Sequence, residues 1–400
     1  MTRHLLKLVW NRKRASILLI LEIFFSFLVV FTVATLGVYL WDSYRQPLGF
    51  AYEDVWNVSI DLHQETGGEG IEERSAAFAR LLQESRALPE VAAAAGAWVI
   101  PFEGGNASTS RDFRQRVLKA DVNEVTQDFA KVMGLRLVAG RWFRPGDEAL
   151  GWTPVVVDQD LVHDGFGSED PLGQVLFPGN PKEGTPETRI VGVVSDFRKH
   201  GELGGDGNYI FYLKKVGDPE VEPSDNLLLK IRPGTPAAFE EELAARLQRV
   251  APDGSFEVRP FVQARESSFR LRLAPLVAGG VIASFLLIMV ALGLIGVLWQ
   301  NLLQRTREFG LRRAAGASGS QVRRQILMEQ LFLTGLGLLL GTVLVVQLPI
   351  LDLAGFLNPE VFAAGLVSSL AAMLLLTLAC AFYPSRMTSR MPPADALRYE

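Results

Sequence analysis

Four long runs of apolar residues interrupt the chain, at residues 17–41, 273–299, 326–348 and 361–383. A helix needs about 20 apolar residues to cross a hydrocarbon layer about 30 Å thick. The sequence therefore predicts an α-helical membrane protein with four transmembrane helices. Because the first run is too long and too uniform for a cleaved signal peptide, we expect it to remain as an anchor.

Between the first two runs, residues 42–272 show short stretches of alternating and helical hydrophobic pattern, which are typical of a folded α+β domain. Alternating and helical patterns predict two strand-helix-strand units, one near each flanking run: residues 55–61, 71–88 and 91–100, then residues 227–232, 236–250 and 256–260. Pro236 suits the first turn of its helix because Pro lacks the N–H that has no partner there. We expect the two units to close on one another into one α+β subdomain, the first lobe.

The segment between these units, residues 113–220, is predicted to form an inserted second lobe. Its predicted strands are residues 116–122, 154–158, 189–197 and 209–213. Two stretches rich in Gly and Pro, residues 178–186 and 201–207, are expected to be exposed loops. A single mixed domain is the alternative to an insertion.

The charges predict how the chain is oriented. Residues 42–272 carry 26 Lys or Arg against 37 Asp or Glu, a net charge of −11, and the rest of the chain carries 14 against 7, a net of +7. The positive-inside rule places the termini, residues 1–16 and 384–400, and the loop 300–325 in the cytoplasm. Residues 42–272 and the short loop 349–360 then lie outside, and the acidic exterior argues against a nucleic-acid partner.

Little in the sequence indicates catalysis or metal binding. Cys380 is the only cysteine, and His63, His163 and His200 have no paired spacing, so we predict no metal site. The chain has no nucleophile elbow, no His-Glu-x-x-His pair and no phosphate-binding Gly-x-x-x-x-Gly-Lys-Ser/Thr loop.

Two carboxylates inside apolar runs, Glu22 and Glu329, are functional candidates because a charge is costly in hydrocarbon. The alternative for both is a structural one. Glu22 would then make a helix-to-helix contact or reach the arginines that precede its run, and Glu329 sits among Arg323 and Arg324 at the entrance of its run.

The cytoplasmic loop carries the most specific pattern, Arg-Glu-Phe-Gly-Leu-Arg-Arg-Ala-Ala-Gly-Ala-Ser at residues 307–318, followed by a basic helix that contains Glu329. The pattern predicts a short helix that ends at Gly316 and a second helix that begins after Ser318 or Ser320. Phe309 and Leu311, ringed by arginines, form a docking surface for another protein. The alternative is a basic loop that only obeys the positive-inside rule.

This loop resembles the signature between the second and third spans of the MacB/FtsX-type permeases of ABC transporters. The tail, residues 383–386 and 392–400, resembles the end of the same permeases, although Ser385 and Pro392 depart from the usual residues. Residues of the external segment, among them Ala139-Gly140-Arg141-Trp142-Phe143 and Asp170-Pro171-Leu172-Gly173, resemble their periplasmic core domain.

The resemblance implies an external region made of a porter-like lobe and an inserted lobe. It also implies a dimer of permeases, with either identical or different chains, and a coupling helix that rests on an ATPase. The residues assigned to ATPase coupling are Arg307, Glu308, Phe309, Gly310, Leu311, Arg312, Arg313, Gly316 and Ala317. MacB itself carries its ATPase on the same polypeptide. Because the phosphate-binding motif is missing, ATP and Mg²⁺ are expected on a separate partner chain and no cofactor on this one.

The expected function is that of a bacterial inner-membrane permease subunit that drives export or extraction of a substrate by transmitted motion. A periplasmic adaptor is a possible further partner. One alternative is an FtsX-like signal transmitter that regulates a periplasmic cell-wall enzyme. Another is a lipoprotein-releasing permease, which shares this architecture.

Overall fold

The computed structural model describes residues 13–62, 70–105, 107–179, 184–205, 207–305, 311, 315–316, 318–351 and 358–390. The chain divides into two compact units, Ser43–Arg272 and Met1–Asp42 with Leu273–Glu400. We call the first the sheet unit and the second the helical unit. Their helices are α1 (Lys13–Arg45), α2 (Ile71–Ala87), α3 (Phe129–Met133), α4 (Gln159–Phe166), α5 (Phe239–Val250), α6 (Phe261–Gln304), α7 (Gly319–Ile350) and α8 (Pro359–Arg390).

Four helices are long and apolar enough to cross a membrane. They are Ile17–Arg45 of α1, Phe261–Gln304 of α6, Gly319–Ile350 of α7 and Pro359–Arg386 of α8. The four predicted spans are therefore confirmed as helices. The helix of the second span begins at Phe261, twelve residues before the apolar run at residue 273, because its first three turns lie in the sheet unit.

In the helical unit, α1 packs against glycines of the other three long helices. Its buried side chains Ile23, Phe27 and Phe31 belong to a core shared with α6, α7 and α8. Where α1 passes α7, a Cβ atom on Gly337 would lie 3.0 Å from the Ile20 carbonyl oxygen. Glycines on the partner helices thus allow the backbones to approach closely, which is how helices associate in lipid.

The sheet unit is built on one sheet of eleven strands. The strands are β1 (Val55–Asp61), β2 (Val91–Ala97), β3 (Ser108–Phe113), β4 (Arg116–Val125), β5 (Leu137–Gly140), β6 (Thr153–Asp158), β7 (Val175–Phe177), β8 (Thr188–Val194), β9 (Tyr209–Leu213), β10 (Asn226–Ile231) and β11 (Ser255–Pro260). Their order is β11-β1-β10-β2-β4-β9-β6-β8-β5, with β3 beside β4 and β7 beside β8.

The two predicted strand-helix-strand units form the first four strands of this sheet. They pair antiparallel, and α2 and α5 cover one face. The core beneath the helices contains Leu81 and Leu82 of α2, Leu243 and Leu247 of α5, and Leu229 of β10. The two strand-helix-strand units therefore share one sheet and one core, as the sequence predicts.

The inserted strands continue the same sheet. β2 and β4 join through a single residue pair, Ala97 with Val125, so the sheet is narrowest where the inserted segment begins. Beyond this point β4, β9, β6, β8 and β5 follow in mixed parallel and antiparallel pairing.

Several local predictions were wrong. The strand predicted at residues 91–100 ends at Ala97. α5 begins at Phe239 rather than at Pro236, because Phe239 N–H donates to the Pro236 carbonyl in a preceding turn. The predicted strand 189–197 ends at Val194. The loop at residues 201–207 is not exposed throughout, since residues 201–204 are buried. Gly201 packs against Phe102 and Gly204 against His200, so closely that a side chain at either position would crowd these residues.

Candidate functional site

Most of the predicted coupling loop lies outside the described residues. Those left out are Arg307, Glu308, Phe309, Gly310, Arg312, Arg313 and Ala317. Leu311 is described and is 66% exposed. Gly316 has a φ of 98°, a conformation that favours glycine.

The helix after the loop begins at a capping box. The Ser318 hydroxyl accepts a hydrogen bond from Gln321 N–H at 3.3 Å, and the Gln321 side chain accepts one from Ser318 N–H at 3.0 Å. These two bonds satisfy backbone donors that the first turn of a helix leaves without partners. The start of α7 after Ser318 is therefore as the sequence predicts.

Glu329 joins the two helices on either side of the loop. Its carboxylate accepts a hydrogen bond from Arg305 Nη1, just after α6, at 2.8 Å, and another from Gln325 Nε2 at 3.0 Å. The two ion-paired side chains are only 13% and 21% exposed. A cluster of Leu298, Leu302, Val322, Ile326 and Ala381 packs beside them. The ends of α6 and α7 are thus held together where the loop leaves them.

Glu22 is half-buried in α1 and faces α6. A Cβ atom on Gly293 would lie 2.7 Å from Glu22 Oε2, so the carboxylate occupies the space that this glycine leaves. The structure therefore places Glu22 at a helix-to-helix contact.

The sheet unit contains a charged loop that the sequence did not single out, residues 198–204, which we call the helix-end loop. Arg198 is 4% exposed and donates to the carbonyl oxygen and the hydroxyl of Ser43, near the end of α1, at 2.6 and 2.5 Å. It also donates to the Gly204 carbonyl at 2.5 Å, to which the Ser43 hydroxyl donates at 2.7 Å. The loop is therefore closed around the end of α1.

The same loop binds the beginning of α6. Glu202 is 8% exposed and accepts a hydrogen bond from Arg265 Nε at 2.5 Å. The Arg265 guanidinium also lies 4.7 Å from the centre of the Tyr52 ring, in cation–π geometry. Phe261, the first residue of α6, is fully buried in the core of the sheet unit. Residues 198–204 thus join the ends of α1 and α6 that belong to the sheet unit.

A third connection runs from the loop to the sheet. Lys199 is 4% exposed and pairs with Asp121 of β4 at 2.8 Å. Burial, and the positive charges of Arg272 and Lys199, lower the pKa of His200 to about 4, while Asp121 opposes this shift. His200 is therefore neutral at physiological pH, and the charges of Lys199 and Glu202 are paired with Asp121 and Arg265.

In the sequence, residues 198–204 read as a charged, glycine-rich surface loop. The charged residues Arg198, Lys199 and Glu202 show no periodicity. Their partners outside the loop lie between 63 and 155 positions away along the chain. The one sequence feature that could have indicated that these side chains are buried is the high density of charged residues beside two glycines. Among the described residues, no three His, Cys, Asp or Glu side chains converge on a metal position.

Comparison with known families decides the class of the chain. Residues 16–246 match the MacB-like periplasmic core domain, and residues 280–393 match the FtsX-like permease C-terminal domain. The first match alone covers more than half of the chain. The chain belongs to the MacB/FtsX-type family of ABC transporter permeases. The permease is thus a membrane protein whose sheet unit corresponds to the family's extracytoplasmic domain.

Curated relatives of the permease are named as exporters. It is 26% identical over 297 residues to the macrolide export ATP-binding/permease protein MacB 2 of Aeromonas hydrophila subsp. hydrophila, over 72% of this chain and 44% of that protein. It is 25% identical over 404 residues to the MacB protein of Agrobacterium fabrum, over 97% of this chain and 59% of that protein. The permease spans about half the length of the curated relatives it matches.

Solved structures with weaker similarity are also from transporters. The periplasmic region of MacB from Actinobacillus actinomycetemcomitans aligns with a TM-score of 0.37 and 16% identity, over 54% of the permease and 92% of that chain. The extracellular domain of the transporter YknZ from Gram-positive bacteria aligns with a TM-score of 0.35 and 12% identity, over 51% and 99%.

Proposed function

We propose that the permease couples ATP hydrolysis on a separate ATPase chain to motion of its extracytoplasmic domain, and so exports or extracts a substrate. The relatives are named as ATP-binding/permease proteins, which supports a partner that binds ATP. We assign ATP and Mg²⁺ to that partner and no catalytic residue to the permease.

The proposed orientation follows the charges. Both termini and the loop 300–325 lie in the cytoplasm, and the acidic residues 42–272 lie outside. The coupling residues 307–317 then face the ATPase, with Phe309 and Leu311 as apolar contacts and the arginines as its charged rim. A second permease chain is the expected partner within the membrane.

The helix-end loop is the observation that carries this proposal. Arg198 and Glu202 are buried and bonded to the ends of α1 and α6 that belong to the sheet unit. A hydrogen bond to a buried charged group contributes about 1.5–3 kcal/mol, and removal of one partner leaves the other charge unpaired. A displacement of either helix end therefore moves the loop, and Lys199 connects the loop to β4.

The proposal is tested by spin labels at Lys131 and Leu351, both replaced by Cys in a Cys380→Ser background. The permease is purified with its ATPase, and the distance between the labels is measured without nucleotide and after trapping with ATP and vanadate. We expect trapping to change the distance in this background. Arg198→Gln should reduce the change while ATP turnover continues, because the loop then remains bonded to α6 but loses the hydrogen bonds of Arg198 to α1.

Arg189→Gln is the matched control, since Arg189 pairs with Glu187 at the surface and is 41% exposed. It should leave the trapped distance unchanged. Ser43→Ala is a milder second variant that removes the hydroxyl but leaves the carbonyl acceptor, and it should reduce the change. A full distance change in folded Arg198→Gln would contradict the proposal.

A further inference from the structure

A groove of about 710 Å³ opens beside the hairpin of β3 and β4 in the sheet unit. Strand β4 and the end of α4 form its sides, with Arg116, Lys119 and His163 in the lining. Asp164 is the one acidic residue among the described residues that line it. The groove therefore concentrates basic side chains in a domain whose net charge is −11.

The aromatic part of the groove is held in place by Arg114. Its guanidinium lies 4.8 Å from the centre of the Phe166 ring and 5.3 Å from that of Phe113. Ion pairing with Glu169 and a hydrogen bond to Gln174, both at 2.8 Å, fix the other side of the guanidinium. Arg114 is thus already neutralised and serves as a rigid wall.

The other basic side chains of the groove differ from Arg114 in their ion pairing. Within the part of the chain that the structure describes, the side chains of Arg116, Lys119 and His163 have no acidic partner within ion-pair distance. The positive charges of Arg116 and Lys119 repel one another, and the apolar side chains beside them reduce screening by water. An anion in the groove would relieve this repulsion.

The groove also has an apolar side. Phe113, Phe166 and Leu118, which are 9%, 4% and 6% exposed, form its floor, and Val117 is 61% exposed at its edge. Ligand sites combine an apolar lining with a few polar groups that orient the ligand, in volumes of about 300–1,000 Å³. A small inorganic ion would leave this apolar lining uncovered.

We propose that this groove binds an organic anion, a carboxylate or phosphate attached to an aromatic or aliphatic body. Arg116 and Lys119 bind the anionic group, and the phenylalanine floor binds the apolar body. The assignment does not depend on the coupling mechanism, since it rests only on groups of the sheet unit.

The test uses the full-length permease in nanodiscs of zwitterionic lipid, with empty nanodiscs as the reference. Binding of 2-naphthyl phosphate, 2-naphthoate and neutral 2-naphthol is measured by isothermal titration calorimetry. We expect one saturable site for at least one of the two anions, and weaker binding as the NaCl concentration rises. Which anion binds more tightly identifies the ligand as a phosphate or a carboxylate.

The variant Arg116→Glu/Lys119→Glu should weaken binding of the preferred anion at least tenfold. Lys131→Glu/Arg232→Glu makes the same change in net charge at exposed positions outside the groove and should weaken it less than twofold. Lys119→Gln, a milder change at an exposed position, should cost about threefold if the double variant does not fold.

Three results would overturn the proposal. Absence of saturable binding by both anions would do so, as would equally tight binding of neutral 2-naphthol. An equal loss in the control variant would show that only the net charge of the domain matters.

Discussion

His200 shows how a single buried side chain makes the helix-end loop sensitive to pH. Its imidazole lies among Arg272, Lys199 and Asp121, and burial together with the two cations lowers its pKa to about 4. In the unfolded chain the pKa of histidine is about 6.5. The unfolded chain therefore binds more protons between these two values, and the stability from neutral His200 is lost as the pH falls from 6.5 towards 4.

We predict that His200→Gln makes thermal stability less dependent on pH. Glutamine does not titrate, so the variant should lose less of its melting temperature than the wild type between pH 7 and pH 4.5. Differential scanning fluorimetry of the purified permease measures this difference. His163→Gln, at an exposed histidine, is the matched control, and parallel pH profiles for wild type and His200→Gln would refute the role of His200.

Side-chain environments of this kind could largely not be predicted from the sequence. The sequence correctly indicated Gly316 as a residue of positive φ and Ser318 as a cap, because both depend only on neighbours in the chain. The burial of Glu202 depends on Arg265, 63 positions further along, and no local pattern reports such a distance.

At the scale of elements, the packing of α1 depends on glycines in the helices that it contacts. Gly337 of α7 lies against the Ile20 carbonyl and the Ile23 side chain, whereas a Cβ on Gly335 would meet no atom within 4 Å. The two glycines are two residues apart on one helix, so they form a matched pair for testing the contact.

We predict opposite effects for Gly337→Ala and Gly335→Ala. Overpacking against backbone costs about 1–3 kcal/mol, while glycine to alanine in an open helix position gains about 1 kcal/mol. Gly337→Ala should therefore lower the melting temperature of the detergent-solubilised permease, and Gly335→Ala should leave it unchanged or raise it. A lower melting temperature in both variants would argue against a specific contact between α1 and α7.

A second prediction at this scale concerns the loop at residues 300–325. Phe309→Ala with Arg312→Glu removes an apolar contact and reverses a charge on the predicted docking surface. We expect the ATPase to be lost from the permease on affinity purification, together with any stimulation of its ATP hydrolysis. Arg323→Glu, on the first turns of α7, is a control for charge. Intact co-purification and stimulation in the double variant would show that the docking assignment is wrong.

The long elements could be predicted from the sequence and several short ones could not. Apolar runs and alternation in the strands predicted the four long helices and the strands of the first lobe, because these signals extend over many residues. β3, β5 and β7, and the short helices α3 and α4, were missed. β7 has three residues and β5 four, too few for a period to be recognised.

At the scale of the whole molecule, the permease combines a MacB-like and an FtsX-like part in one chain. The sheet continues through the inserted segment across the Ala97–Val125 pair, so the inserted strands are hydrogen-bonded to the first lobe. Through Lys199 and Asp121, the helix-end loop is connected to β4 in the inserted part of this sheet. The account therefore predicts that motion of the helices reaches both parts of the sheet.

Hydrogen exchange of the helix-end loop tests this central claim most directly. The wild-type permease is purified with its ATPase, and deuterium uptake of peptides covering residues 198–204 is compared without nucleotide and after trapping with ATP and vanadate. We predict a clear change in uptake in these peptides, and none in peptides from α2, which has no bond to the loop among the described residues. Identical uptake in both states, in a complex that hydrolyses ATP, would contradict the account.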